Sequence, residues 1–130
     1  PTCLGPAAYR FSCQINENSA LFAGATDVPE MNHNEIVAWT SKSASNRALL
    51  LFSCEDLHPR TSARMEWMLE EIESSPTWVV ECEGKSLLER LLYAAHVTDW
   101  VSIGLALLTG EDPSEMPAIE SLKTHLASIQ

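Results

Sequence analysis

Two short apolar runs, separated by one helix's worth of chain, constrain this sequence more than any other feature. The first lies in "RALLLFSC", where Ala48 to Phe52 contains no polar residue. The second is "TWVVEC", Thr77 to Cys82. Runs of this length without polar alternation belong to strands covered on both faces, as in a parallel sheet. Between them, "PRTSARMEWMLEEIES" begins at Pro59 and sets Met65, Met68, Leu69 and Ile72 on one helical face. Strand, helix and strand at this spacing form the repeating unit of parallel α/β proteins. The expectation is one α/β domain over residues 1–130, a three-layer αβα sandwich with a mainly parallel sheet.

The flanking segments fit that plan. "PTCLG" is read as a short strand ending at Gly5, followed from Pro6 by a helix with Ala8, Phe11 and Ile15 on one side. "NENS" then frays that helix, and "ATDVPEM" is a short strand or an extended loop. Asn32 stands three residues before Glu35, the spacing of a capping box that would start a helix through Ile36, Val37 and Trp39. Thr40 to Asn46 is a polar loop, and "EGKS" is a turn around Gly84. Ser86 to Leu108 reads as a long, largely buried helix closed by Gly110. After the linker "EDPSEMP", Ala118 to Ile129 forms an amphipathic helix. Opening at Pro1 without a methionine, the chain is expected to be a processed or excised piece of a longer polypeptide.

Composition narrows the function classes. With 130 residues, 45% of them hydrophobic, and only 20% charged, the chain has the makings of a folded core rather than disorder. A net charge of −10 argues against nucleic acid or an anionic membrane as partner, although a phosphorylated metabolite needs only a local positive potential. Cys3, Cys13, Cys54 and Cys82 show no metal-ligand or secreted-disulfide spacing, so reduced thiols in a cytoplasmic protein are expected. The apolar window Leu87 to Leu108 includes Glu89, Arg90 and Asp99, which favours a buried helix over a membrane span. The five glycines are scattered, so neither a Walker loop nor a dinucleotide fingerprint is present.

Three residues are candidates for chemistry. His33, as the first residue of a helix capped by Asn32, would meet the positive end of the helix dipole, which favours a neutral imidazole suited to proton transfer. The competing reading is a partly exposed polar residue in a first turn, and spacing alone favours it. The triplet His33-Asn34-Glu35 matches H-x-E of zinc deaminases, but no P-C-x-x-C follows, which excludes that chemistry. Glu17, between Asn16 and Asn18 at a helix end, is a carboxylate able to abstract a proton beside a carbonyl; the alternative is an ordinary solvated glutamate. Lys123 lies beside the Ile119, Leu122, Leu126 stripe, where a snorkelling surface lysine is the simpler reading.

Taken together, "QINENSA" and "VPEMNHNEIVAW" resemble the C-terminal half of the bifunctional phosphoglucose/phosphomannose isomerases, which are built from two sugar-isomerase (SIS) domains. The resemblance continues through "HPRTSARMEWMLEEIE", "LLERLLYAAHVTDWVSIGLALLTGEDP" and "IESLK", in the same order along nearly the whole chain. It implies an SIS-type fold and aldose–ketose isomerisation of glucose or mannose 6-phosphate to fructose 6-phosphate through a cis-enediol, which protein acids and bases manage, so that no metal or organic cofactor is expected. It further implies that Glu17 moves the proton between C1 and C2, and that His33 assists ring opening from a neighbouring subunit. Lys123 matches a lysine associated with ring opening. The implied partners are the hexose 6-phosphate, an N-terminal SIS domain of the same chain, and a second copy in a homodimer. Two departures stand out: Ser19 and Ala20 follow the N-E-N motif where a lysine is common, and the segment from Gly5 to Tyr9 is shortened. The Ser/Thr-rich phosphate loop of the N-terminal domain has no counterpart here. The rival expectation is a non-catalytic sugar-phosphate-binding or dimerisation domain on the same fold, which would not need Glu17.

Overall fold

The computed structural model describes residues 3–129. Strands β1 (Leu49–Ser53) and β2 (Thr77–Glu81) pair in parallel, from Leu49 opposite Thr77 to Ser53 opposite Glu81. Parallel neighbours need a crossover, and α4 (Pro59–Glu71) supplies it. Its first turn is capped by His58, whose Nδ1 accepts the Arg60 N–H at 3.2 Å. Because strand side chains alternate between faces, β1 feeds two cores. Leu49 and Leu51 join Val28, Met31, Met65, Met68 and Ile72 on one side. Phe52 joins Leu4, Ala7, Cys54, Cys82 and Ala94 on the other, where its ring meets that of Phe11 edge-on at 6.3 Å. Fully burying one such side chain contributes roughly 1.5–3 kcal/mol.

The first core is covered by α4 and the short α2 (Val28–Met31). The second is covered by α1 (Gly5–Ser19) and α5 (Leu87–Thr109), which pack along one another. The order of layers is helices, sheet, helices, as the strand pattern predicts. Small residues Ala94, Thr98, Ser102 and Ala106 form the buried stripe of α5. Around it, Arg10 is ion-paired with Asp99, Gln14 Nε2 donates to Asp99 Oδ1 at 3.3 Å, and Asn18 Nδ2 donates to Ser102 Oγ at 3.0 Å. Gly110, at φ 78°, ends α5 in the left-handed conformation expected of a helix C-cap.

Several expectations are corrected. Pro1 and Thr2, part of the expected first strand, lie outside the described residues; Cys3 and Leu4 form a turn and Gly5 already begins α1. The N-E-N segment does not fray, since α1 runs on to Ser19. "VPEM" is helical because Pro29 suits a first turn, and the polar loop tightens into a 3-10 helix over Lys42–Asn46 around buried Ala44. The sheet has two strands among the described residues, and β2 is not buried: Trp78 and Val79 face solvent. Neither is α5 largely buried, nor does Leu69 point inward on α4. The last helix, α6 (Pro117–Ala127), buries no residue at all.

Candidate functional site

The N-E-N motif sits in the last turns of α1, and its two asparagines hold it in place. Asn16 Nδ2 donates to the Ala23 carbonyl at 3.1 Å, and the Ala23 N–H donates back to Asn16 Oδ1 at 2.7 Å, which folds the segment after α1 against the helix. Asn18 is held by Ser102 of α5, as above. Glu17, between these anchors, is exposed, and its carboxylate makes no hydrogen bond or ion pair among the described residues. The flanking amides therefore fix the backbone that presents a free carboxylate.

His33 is not where a capping box would put it. Asn32 is the C-cap of α2, and its N–H donates to the Val28 carbonyl at 3.0 Å. The His33 N–H donates to the Glu30 carbonyl at 2.9 Å, and Glu35 precedes the four-residue α3 (Ile36–Trp39). His33 thus occupies an exposed turn between two short helices and is not the first residue of a capped helix. The turn is built by Asn34, whose Nδ2 donates to Glu30 Oε1 at 3.0 Å while its Oδ1 accepts the Glu35 N–H at 2.6 Å. The capping box forms instead at Ser86 and Glu89, the start of α5. There the S-x-x-E spacing was equally legible.

Lys123 is exposed on α6. No hydrogen bond or ion pair among the described residues joins Glu17, His33 and Lys123.

Two grooves lie near these elements. One, of about 320 Å³, runs between the turn after α2 and the outer face of α4, lined by Asn32, Ile36, Ala63, Arg64 and Trp67. Asn32 Oδ1 is buried there with no hydrogen-bond donor. The sequence concealed this residue because its role as a cap accounted for it, while Arg64 and Trp67, three apart on α4, gave no signal beyond a shared face. The second groove, of about 270 Å³, lies past the carboxyl ends of both strands and is lined by Glu55, Glu81, Cys82, Glu83, Gly84 and Arg90. Open α/β sheets often bind ligands at that edge, but here the chemistry is wrong for an anion. Arg90 is engaged by Asp56 at 2.6 Å and by the Gly84 carbonyl at 2.9 Å. The α5 N-terminus is filled by Glu89, which accepts from the Lys85 and Ser86 N–H groups at 2.5 and 3.2 Å. Burial, with Cys54 alongside, pushes the Cys82 thiol up to about 11, so it is protonated at neutral pH.

With this geometry described, the likeness to known proteins becomes specific. Residues 1–126 match the bacterial phospho-glucose isomerase C-terminal SIS domain. A bifunctional phosphoglucose/phosphomannose isomerase of Aquifex aeolicus is 40% identical over 124 residues, covering 92% of this chain and 38% of the relative. Proteins of the same name from Thermoplasma volcanium and Caldicellulosiruptor bescii are 33% and 34% identical, over 92% and 95% of the chain. No solved structure matches. The chain thus spans under two-fifths of the length of these curated relatives, 38–39%. From residue 1 to residue 126, it belongs to the family of bacterial phospho-glucose isomerase C-terminal SIS domains.

Proposed function

We propose that this chain forms one part of the active site of a cytoplasmic hexose 6-phosphate isomerase interconverting glucose or mannose 6-phosphate with fructose 6-phosphate. The observation that carries the reading is the 40% identity, over 92% of the chain, to a protein named bifunctional phosphoglucose/phosphomannose isomerase. The geometry around Glu17 supports it. Isomerisation takes a proton from C2 of the open-chain aldose while O1 gains one, leaves a cis-enediol, and returns the proton to C1 while O2 loses one, so that the carbonyl moves to C2. Glu17 is the base that carries this proton. His33 opens the ring by giving a proton to the ring oxygen and receiving one from the anomeric hydroxyl, directly or through water. Lys123 sits beside the substrate oxygens during that step. No metal or organic cofactor enters the scheme.

The exposure of Glu17 explains why one domain is not enough. A solvated carboxylate is too weak a base for a C–H proton, whereas a dehydrated one is markedly stronger. An N-terminal SIS domain of the same polypeptide and a second subunit supply the cover, the phosphate-binding loop and the meeting of His33 with Glu17. Uncovered apolar side chains on α5, α6 and β2 are the surfaces such partners would use.

Glu17→Gln in the full-length protein tests the assignment. General-base loss is expected to lower kcat by roughly 10²–10⁴-fold while the sugar phosphate still binds. Turnover at the wild-type rate would remove Glu17 from the mechanism and favour a non-catalytic sugar-phosphate-binding domain.

A further inference from the structure

The carboxyl ends of the two strands carry a pair of cysteines that the isomerase reading leaves unused. The parallel register ends with Ser53 opposite Glu81, and the Cys82 N–H donates to the Ser53 carbonyl at 2.8 Å. One step further along both strands, Cys54 falls opposite Cys82. Strand side chains alternate between faces, so this pair shares the face of Phe52 and Val80, two residues earlier. The packing agrees, since Phe52, Cys54 and Cys82 belong to one core and Val80 lies against it. Neighbouring strands run roughly 4.7–4.9 Å apart, within the roughly 4.4–6.8 Å between Cα atoms that a disulfide spans. Both thiols are free. Among the described residues no three His, Cys, Asp or Glu side chains are gathered closely enough to hold a metal ion, so the pair is not part of such a site.

The surroundings give the two sulfurs different roles. Cys82 and Arg90 both form part of the wall of the groove past the strand ends, which is open to solvent and wide enough for a molecule little larger than water. Arg90 also stands beside Cys54, where its guanidinium supplies the fixed positive charge that favours attack by sulfur. Cys82, held protonated by its burial, suits the second step. We propose that Cys54 and Cys82 are a thiol modification site, joined by a peroxide into a reversible disulfide. The Cys54 sulfur attacks one peroxide oxygen: an S–O bond forms, the O–O bond breaks, and the leaving oxygen takes the thiol proton and departs as water. The Cys82 sulfur then displaces the hydroxyl of that sulfenic acid, and its own proton leaves with the hydroxyl as a second water. Together the two sulfurs give up two electrons, and the peroxide gains them. The new bond closes β1, α4 and β2 into one covalent loop. None of this depends on the isomerase reading.

Peptide mapping tests the pair without any substitution. The reduced full-length protein is treated with hydrogen peroxide, its remaining thiols are alkylated in urea, and it is digested with trypsin without reductant. Cleavage after Arg47, Arg60, Arg64 and Lys85 places Cys54 in the peptide 48–60 and Cys82 in the peptide 65–85. Mass spectrometry is expected to find these two peptides joined, at the sum of their masses less two hydrogens, and to find them separate again after dithiothreitol. In Cys82→Ser, which has no resolving sulfur, dimedone added with the peroxide is expected to mark Cys54 as the sulfenic acid. Alkylated thiols at both Cys54 and Cys82, sulfinic acid in place of the link, or a bond from either residue to Cys3 or Cys13 overturns the inference. A folded Cys82→Ser protein with no dimedone on Cys54 overturns the order of attack. The map of the wild-type protein decides the pairing even if that variant fails to fold.

Discussion

Asp99 illustrates what a single pairing does at the surface between two helices. The guanidinium of Arg10, with help from Gln14, holds its carboxyl below the usual carboxylate range. A depressed folded value means that the pair stabilises the fold above the unfolded pKa, about 3.9. That stability disappears as pH falls through the lower folded value. Both side chains are more than a third exposed, so solvent screening limits the contribution to under ~1 kcal/mol. Asp99→Asn is therefore expected to lower stability to urea modestly at pH 7 and to match wild type once pH has fallen below the lowered folded pKa of Asp99. A deficit as large in acid as at neutrality would show that the residue acts through packing instead. Asn32 was misread at this same scale. Its side chain suits a cap and Glu35 completes the pattern, yet the four-residue α2 ends on it and leaves its oxygen buried without a hydrogen-bond donor. The local rule was satisfied equally by a helix start and a helix end, and only the path of the chain from Val28 decides.

At the scale of elements, the turn leading into α5 is the most tightly specified connection. Gly84 stands at φ 145°, and a Cβ there would come within 2.6 Å of Glu89 Cβ and 2.9 Å of the Arg90 nitrogen. Those are the two residues that fasten the turn, through the capping box and through the Gly84 carbonyl. Gly84→Ala is expected to cost ~1–3 kcal/mol of unfolding free energy in a urea titration; unchanged stability would mean that the turn relaxes freely. β1, α4 and Gly110 were legible from sequence because each carries an unambiguous signal: a run with no polar residue, a 3.6-residue apolar period behind a proline, and a glycine past the last apolar turn. The burial of β2 and α5 was not legible. An apolar run reports that a surface seeks cover, and says nothing about whether this chain or another segment provides it.

That gap carries up to the whole molecule. Leu88, Leu92, Trp100, Leu107 and Leu108 lie along the outside of α5, with Leu108 84% exposed, and Phe22 is fully exposed in the segment after α1. By length and composition α5 would even qualify to cross a membrane, with a mean hydropathy of 1.5 over its apolar window. Its Asp99 and Arg90 are instead tied to α1 and to Asp56. Many exposed large apolar side chains on one helix are what an interaction surface carries. The relatives supply the context, since this chain covers only 38–39% of their length. The α/β plan was legible in the order of strands and helices, and the SIS type only through the resemblance carried by the motifs. The site was legible only as residue types, because Glu17, His33 and Lys123 are all exposed and stand on three different segments, α1, the turn after α2 and α6.

The central claim is that this domain carries the proton-transferring residue of an isomerase but not a whole active site. Solvent deuterium incorporation into fructose 6-phosphate, followed by proton NMR, tests it directly when run with residues 1–130 and with the full-length protein. The account predicts exchange with the full-length protein and none with the domain alone. Exchange catalysed by the domain alone would contradict the half-site, and no exchange by either would contradict the isomerase.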